Sequence, residues 1–161
     1  MSKFLTVFSD THGNGDLLYK LNGDFAVSNK IVFLGDGVSD LYYLNEEQQS
    51  KLVAVRGNCD FSTVYPKQAL FTVDGVVVLA VHGDEFGVKV SLSRLCDYAK
   101  KVNATLVLYG HTHLPKITEI NGITFVNPGS LSDYTREKTF SFIKIDGNKI
   151  TASNLLFNKR F

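Results

Sequence analysis

The chain alternates between short apolar runs and compact polar clusters. Five nearly all-apolar runs occupy residues 4–8, 31–34, 52–55, 76–81 and 105–109. Runs this short, rich in Val, Leu, Ile and Phe, predict strands that are buried on both faces. Each run ends in a cluster of Asp, Asn or His with a glycine beside it. Because ligands of open α/β sheets bind outside the carboxyl ends of the strands, the clusters predict one shared site.

The pattern between and after these runs predicts the remaining elements. Apolar residues at helical spacing predict helices over 16–21, 41–49 and 91–101, the second with Asp40 as its N-cap. The last third predicts strands over 116–120, 123–126, 139–145 and 149–157. Asn121-Gly122 and Asp146-Gly147-Asn148 predict hairpin turns between them. We therefore expect α/β units followed by mostly antiparallel β structure, in one domain spanning residues 1–161.

Composition and charge narrow the class of protein. The chain has 161 residues, with 17 Lys and Arg against 16 Asp and Glu and a formal net charge of +1. This balance argues against a nucleic-acid partner. No apolar stretch approaches the ~18–20 residues that span a bilayer, and the N-terminus lacks a signal-peptide pattern, so we expect no membrane partner. The two cysteines form no disulfide framework, which favours a cytoplasmic location.

All four histidines lie in the polar clusters, and imidazole is the commonest metal ligand in proteins. With neighbouring carboxylates and one amide they give seven candidate ligands: Asp10, His12, Asp36, Asn58, His82, His111 and His113. Seven ligands exceed what one four-coordinate metal needs, so they suit two metals with a shared carboxylate. Two metals about 3.5–4 Å apart can clamp an in-line displacement at phosphorus. Mixed nitrogen and oxygen ligands suit several divalent ions, so the ligand types do not select one. Mn is the expected ion, with Fe, Zn, Ni or Mg as alternatives.

Other residues of the clusters leave two interpretations open. Asp40 is either an N-cap, which we favour, or a residue that orients ligands. Asp60 is a turn residue or a ligand-orienting residue, and the pattern favours neither. Cys59 either packs beside Asn58, which we favour, or serves as a catalytic or redox-sensitive thiol.

Three further features are less specific. Arg56 either reaches a phosphate or forms a surface or structural salt bridge. Tyr134 is expected to be exposed, with lining of a substrate pocket as the alternative. Cys96 lies on the apolar side of the predicted helix over 91–101 and is expected to be a small buried hydrophobe.

The clusters follow the order seen in one enzyme superfamily. Asp-x-His at 10–12, Gly-Asp at 35–36, Gly-Asn-x-Asp at 57–60, a lone His82 and Gly-His-x-His at 110–113 occur in succession. In this the chain resembles the calcineurin-like metallophosphoesterases. Its short length, Gly-Asn-Cys-Asp at 57–60 and Asn-Pro-Gly-Ser at 127–130 resemble the small YfcE-like phosphodiesterases. The resemblance implies a four-layer α/β/β/α sandwich, with two mixed sheets flanked by helices.

The resemblance also implies roles for individual residues. One metal would be held by Asp10, His12, Asp36 and His113. The second would be held by Asp36, Asn58, His82 and His111, so that Asp36 bridges the two. The implied reaction is attack of a metal-bridging hydroxide on a small phosphoester, with Asp36, Asn58 and Cys59 as catalytic residues. Many larger members have His in place of Cys59; without it no imidazole is left as general acid, and we expect a preference for good leaving groups.

Three other functions compete with a phosphodiesterase. A phosphomonoesterase would use the same fold, and a metal-dependent nuclease would need more positive charge than this chain carries. A non-catalytic protein-binding scaffold is the third, since a retromer subunit resembling this family uses the fold for protein interaction. The filled set of ligand positions favours an enzyme. Related proteins often self-associate, so a homo-oligomer is also expected, with the apolar edge 155–157 as its contact.

Overall fold

Two five-stranded sheets form the centre of the computed structural model, which describes residues 1–61 and 64–157. The first sheet has the order β10-β9-β1-β2-β3, from β1 (Lys3–Phe8), β2 (Lys30–Phe33), β3 (Leu52–Ala54), β9 (Thr139–Asp146) and β10 (Lys149–Leu156). The second has the order β4-β5-β6-β8-β7, from β4 (Gln68–Val73), β5 (Val76–Val81), β6 (Leu106–Leu108), β7 (Lys116–Ile120) and β8 (Ile123–Asn127). The nine predicted strands are confirmed to within one residue at each end.

Each sheet combines a parallel and an antiparallel part. Strands β1, β2 and β3 pair in parallel, and so do β5, β6 and β8. The outer neighbours β9, β10, β4 and β7 pair antiparallel. The carboxyl ends of the parallel strands therefore share one edge of each sheet, and the prediction of two mixed sheets is confirmed.

Short helices cover the outer faces. They are α1 (Asn22–Val27), α2 (Glu46–Ser50), α3 (Ser93–Lys101) and 3-10 helices over Gly15–Leu21, Val38–Tyr43 and Asp84–Phe86. Cys96 is buried in α3 beside Leu95 and Ala99, as the helical pattern predicts. Every helix within residues 1–61 and 64–157 is too short or too polar to cross a membrane.

Three apolar layers separate the four layers of secondary structure. Between the sheets, Leu5 and Val32 of the first sheet join Leu106 of the second, all fully buried. A second cluster joins the first sheet to the helices before Leu44, and a third joins the second sheet to α3. Burying such a side chain contributes roughly 1.5–3 kcal/mol. The predicted α/β/β/α sandwich is thus confirmed, and its rigid sheets position the polar residues that follow the strands.

The predicted helix over 41–49 is wrong, and so is Asp40 as its N-cap. The chain is extended at Leu44, between the 3-10 helix Val38–Tyr43 and α2. Asn45 caps α2 instead: its side chain accepts from the Gln48 amide, and the Gln48 side chain accepts from the Asn45 amide. This capping box satisfies two free donors of the helix end, which Asp40 cannot reach.

Two features at the sheet edges differ from expectation. Strand β4 was not predicted, because its apolar run Ala69-Leu70-Phe71 is short and is flanked by polar Gln68 and Thr72. The turn Asp74-Gly75 that joins it to β5 is the hairpin signal that marks it. At the other end, Phe157 is 2% exposed and packs in the core against the first sheet. The segment 155–157 is therefore mostly covered by the chain itself rather than forming an open apolar edge.

Candidate metal centre

Five strand ends meet where the two sheets adjoin. Asp10, Asp36 and the 57–60 turn follow β1, β2 and β3, while His82 and His111 follow β5 and β6. The amide of His111 donates to Oδ2 of Asp10 over 3.2 Å, which joins the second sheet to the first. The expected shared site is therefore present, and its side chains converge from both sheets.

The first group of converging side chains consists of Asp10, His12 and His113. Oδ1 of Asp10 lies 3.6 Å from Nε2 of His12 and 3.1 Å from Nε2 of His113. The Ser9 hydroxyl donates to the other oxygen of Asp10, Oδ2, which also accepts from the His111 amide. These bonds fix the fully buried carboxylate so that Oδ1 faces both imidazoles.

The second group consists of Asp36, His82 and His111. Nε2 of His82 lies 3.2 Å from Oδ2 of Asp36 and 3.2 Å from Nδ1 of His111. The opposite nitrogen of His82, Nδ1, lies 2.7 Å from the carbonyl oxygen of Leu34. Because that carbonyl can only accept, it holds the proton of a neutral His82 on Nδ1 and leaves the lone pair of Nε2 in the group.

Asp36 lies between the two groups. Its Oδ2 is 3.2 Å from Nε2 of His82 and 3.8 Å from Nε2 of His12. Its Oδ1 accepts from the Cys59 amide over 2.8 Å. One carboxylate oxygen is thus fixed by backbone, and the other is shared by imidazoles of both groups.

The residues present fit bound cations. Oδ1 of Asp10 and Nε2 of His12 are buried and have no hydrogen-bond partner among the described residues. A lone pair on Nε2 of His82 facing a carboxylate oxygen is repulsive unless a proton or a metal ion lies between them. Buried polar atoms normally have partners, so these convergent acceptors indicate a positively charged ligand.

The charges of the site couple its titrating groups. Burial raises the pKa of Asp10, but the His113 and His12 imidazoles beside its Oδ1 outweigh it and hold the pKa well below its usual range. The neighbouring Asp10 carboxylate raises the pKa of His12. Burial lowers the pKa of His111, and the positive charges of His82 and Lys89 lower it further. The two groups are therefore electrostatically linked.

Two carboxylates outside these groups hold the loops that carry them. Asp60 accepts from the backbone amides of Asp36, Gly37, Val38 and Gly57 over 2.7–3.0 Å. Asp40 accepts from the Thr11 hydroxyl and the Gly13 amide, on either side of His12. Both therefore hold backbone beside candidate ligands. For Asp60 this agrees with the ligand-orienting alternative, and for Asp40 it replaces the N-cap interpretation.

The backbone at most candidate ligands is left-handed. The φ angles are 54° at Asp10, 43° at His12, 62° at Asp36, 72° at His111 and 64° at His113. Non-glycine residues rarely adopt this region, although Asp, Asn and His tolerate it better than most. Such strain persists where surrounding contacts impose it, and it concentrates at functional sites. The sequence pattern does not show this feature.

The turn 127–130 supports the site through its side chains. Nδ2 of Asn127 donates to Oγ1 of Thr112 over 2.9 Å, between the two histidines of the 110–113 motif. Oγ of Ser130 donates to the carbonyl oxygen of Asp10 over 2.8 Å. Ser9, Asn127 and Ser130 thus position candidate ligands, which the pattern of ligating residue types does not predict; for Ser9 the signal is its place directly before Asp10.

Asn58 is the candidate ligand that the structure does not bring into either group. Its side chain is exposed, and Nδ2 donates to Sγ of Cys59 over 3.7 Å. The expected packing of Cys59 beside Asn58 is therefore present. The thiol is also close to His12 and Asp36, in a third group of metal-binding side-chain types. Ligation by Asn58 stays a prediction.

Two further side chains have simple surroundings. Arg56 donates to the carbonyl oxygen of Tyr65 over 2.9 Å, a structural hydrogen bond rather than a salt bridge. Tyr134 is exposed, as predicted, and its ring stands edge-on to His12 with centroids 6.2 Å apart. Tyr134 therefore lies at the rim of the site.

Comparison with known proteins agrees with this geometry. The family model of the calcineurin-like phosphoesterase superfamily domain matches residues 4–149. A probable metallophosphoesterase of Bacillus subtilis, YsnB, is 27% identical over 99 residues, covering 60% of this chain and 59% of the relative. The chain thus aligns with less than two thirds of that relative's length.

Three solved structures share the fold. A conserved uncharacterized protein of Streptococcus pneumoniae, titled a predicted phosphoesterase, has a TM-score of 0.84 at 23% identity, covering 98% of this chain and 91% of its own. An archaeal phosphodiesterase has a TM-score of 0.75 at 19% identity, covering 95% and 99%. Vacuolar protein sorting 29 of Cryptosporidium parvum has a TM-score of 0.75 at 17% identity, covering 96% and 97%.

Proposed function

Because the chain belongs to the calcineurin-like phosphoesterase superfamily, we propose that it is a phosphodiesterase dependent on two divalent metal ions. The observation that carries this proposal is the position of Asp36, whose Oδ2 lies 3.8 Å from Nε2 of His12 and 3.2 Å from Nε2 of His82. A carboxylate oxygen shared by two groups of ligands suits a bridge between two cations.

Each side-chain group provides ligands for one ion. The first ion would be held by Asp10, His12, Asp36 and His113. The second would be held by Asp36, His82 and His111, with Asn58 completing the set after rotation of its side chain. Nitrogen and oxygen ligands of this kind bind several divalent ions, and Mn is the proposed ion, with Fe, Zn, Ni or Mg as alternatives.

The protein scaffold contributes orientation and charge. Two divalent ions would supply the positive charge that attracts a phosphoryl group and would acidify water at the centre. Asp60 holds the backbone at Asp36, and Asp40 holds the loop around His12, so the ligands are arranged before substrate binds. With all four imidazoles used as ligands, Cys59 is the remaining side chain of the 57–60 turn that can contact a leaving group.

Space beside the centre favours a diester over a monoester. A diester carries two substituents. Cavities of about 440 and 400 Å³ share Leu114 in their linings, and the second also includes His113. Together they would accommodate both substituents of the phosphorus. The archaeal neighbour named as a phosphodiesterase supports the same choice.

A protein-binding scaffold is the second candidate, because the fold is shared with vacuolar protein sorting 29. A scaffold has no requirement for catalytic turnover or for a complete set of ligands. The chain retains seven residues of ligating type in the polar clusters, which supports the enzyme. A cytoplasmic location and a homo-oligomer stay predictions.

Metal rescue of activity tests the proposal. The protein is stripped with a chelator and assayed with bis-p-nitrophenyl phosphate and p-nitrophenyl phosphate after addition of Mn²⁺, Mg²⁺, Zn²⁺ or Ni²⁺. Metal-restored turnover with preference for the diester is expected, and Asp36→Asn should lose it while the exposed control Asp97→Asn retains it. Preference for the monoester would make the chain a phosphomonoesterase. Folded protein that is inactive with every metal would favour the scaffold.

A further inference from the structure

A cavity of about 440 Å³ opens beside the candidate metal centre. It lies between the segment before α3, which contributes Lys89 and Val90, and the segment after His111, which contributes Thr112, Leu114 and Lys116. Thr112 separates the two histidines of the 110–113 motif. Thr112 and Leu114 flank His113, and Leu114 also lines the neighbouring cavity that contains His113, so the 440 Å³ cavity adjoins the centre.

The charged residues of this cavity are both cations. Lys89 and Lys116 are exposed, and within residues 1–61 and 64–157 neither forms a salt bridge, unlike Lys51, Lys67 and Lys138. Two cations without a carboxylate partner attract an anionic group.

The other cavities at the centre differ in charge. The cavity of about 400 Å³ on the far side of Leu114 carries Arg136 and Glu137, one charge of each sign. A cavity of about 210 Å³ beside Asn58 carries acidic residues in excess, and its Lys67 pairs with Glu85. An anion would therefore prefer the cavity with the two free lysines.

We propose that this cavity binds a second phosphate group of the substrate, so that the enzyme prefers phosphodiesters that carry a further phosphate. Lys89 and Lys116 hold that phosphate, while Val90 (92% exposed) and Leu114 (69% exposed) offer apolar surface to the part that joins it to the diester. This assignment rests on the proposed function, in which the scissile diester lies at the metal centre. Lys89 and Lys116 then act as specificity residues.

Binding to metal-free protein tests the phosphate site without turnover. Thymidine 3′,5′-bisphosphate is titrated into ¹⁵N-labelled, chelator-treated protein and followed by amide NMR. We expect shifts at residues 88–92 and 112–116, with affinity about tenfold weaker in Lys89→Met and in Lys116→Met. Arg136→Met, in the neighbouring cavity, is the matched control and should bind as the unaltered protein does. Loss of binding in Arg136→Met alone, or no shifts near the lysines, would overturn the proposal.

Turnover of a matched substrate pair provides the second readout. The 4-nitrophenyl ester of thymidine 5′-phosphate is compared with the same ester bearing a 3′-phosphate. We expect kcat/KM about tenfold higher for the second, with the ratio approaching one in Lys89→Met and restored in Lys89→Arg. Turnover of both esters at equal rates would overturn the specificity. If the bisphosphate binds at the lysines but the protein hydrolyses neither ester, the phosphate site would be supported and the proposed function would be contradicted.

Discussion

Nε2 of His82, in the second sheet, lies 3.2 Å from Oδ2 of Asp36, in the first. The other nitrogen of the ring, Nδ1, lies 2.7 Å from the carbonyl oxygen of Leu34, two residues before Asp36. One strand end thus holds both sides of the imidazole. An outer hydrogen bond of this kind fixes the tautomer of a metal-binding histidine, and it leaves Nε2 for a proton or a metal ion.

Metal loading is therefore expected to release protons. Burial lowers the pKa of His82, but the hydrogen bond with Asp36 and the charges of Asp10 and Asp36 outweigh it and raise the pKa above 6.5. The metal-free ring stays protonated up to that raised pKa, while a ligand must be unprotonated, so apparent Mn²⁺ affinity should increase from about pH 6 to 8. Calorimetry of chelator-stripped protein in buffers of different ionisation enthalpy measures the released protons. Affinity that is constant over this range would contradict the assignment of His82 as a ligand.

Replacing Asp60 should weaken both the fold and the metal centre. Its carboxylate accepts from four backbone amides at 2.7–3.0 Å, two of them at Asp36 and Gly57. Asp60→Ala leaves those donors without a partner, which we expect to lower the free energy of unfolding by about 2–3 kcal/mol. Metal affinity should fall about 10- to 100-fold, as for other residues that orient ligands. Denaturant unfolding and metal titration measure the two effects.

Asp97→Ala, at an exposed carboxylate of α3, is the control for that change. It should leave metal affinity unaltered. Equal metal affinities for Asp60→Ala and Asp97→Ala would show that Asp60 serves the turn alone.

Asn58→Ala is expected to cost activity much more than stability. The Asn58 side chain is exposed, and its described hydrogen bond is a long one, 3.7 Å to Sγ of Cys59. Its removal should change the free energy of unfolding by less than about 0.5 kcal/mol. If Asn58 completes the second metal site, turnover should fall at least about 10-fold. Thermal unfolding and steady-state kinetics with saturating Mn²⁺ separate the two effects, and unimpaired turnover would remove Asn58 from the ligand set.

Hydrolysis should depend steeply on the leaving group. The four imidazoles are assigned to metals, and burial together with the charge of Asp36 raises the pKa of the Cys59 thiol, which makes it a poor proton donor. Aryl diesters with acidic phenols should therefore react fastest in a series that differs only in the phenol. Cys59→His places an imidazole on the 57–60 turn, and we expect it to accelerate alkyl diesters by about 100-fold or more relative to Cys59→Ala. Rates independent of the pKa of the leaving phenol would contradict this prediction.

Local patterns were sufficient for the strands and for most of the ligands. Short apolar runs predict buried strands, and parallel strands bring their carboxyl ends to one edge of a sheet. Asp10, Asp36, His82 and His111 could therefore be predicted from the sequence to lie close together. The predicted helix over 41–49 is wrong because the spacing of apolar residues does not show that Asn45 caps a separate helix, α2. Strand β4 was not predicted because its apolar run is only three residues long and its clearest signal is the Asp74-Gly75 turn.

The residues that position the ligands could not be found in the same way. Asp40 and His12 are 28 positions apart in the sequence, and Asp40 reaches the loop around His12 only because two 3-10 segments pack together on the first sheet. Ser130 reaches Asp10 across 120 residues. Hydrogen bonds between such distant segments depend on the mutual arrangement of the two sheets, which periodicity does not encode.

Local hydrophobic pattern is sufficient to predict the order of the elements, the residue types of the site and their place at strand ends. The assembly of the site depends on how distant parts of the chain pack together. Packing of the two sheets puts Oδ2 of Asp36 between His12 and His82, and the backbone of five candidate ligands is left-handed in the folded chain. It also leaves Lys89 and Lys116 together beside the centre. These relationships join segments far apart in the chain, so they arise only when the whole fold closes.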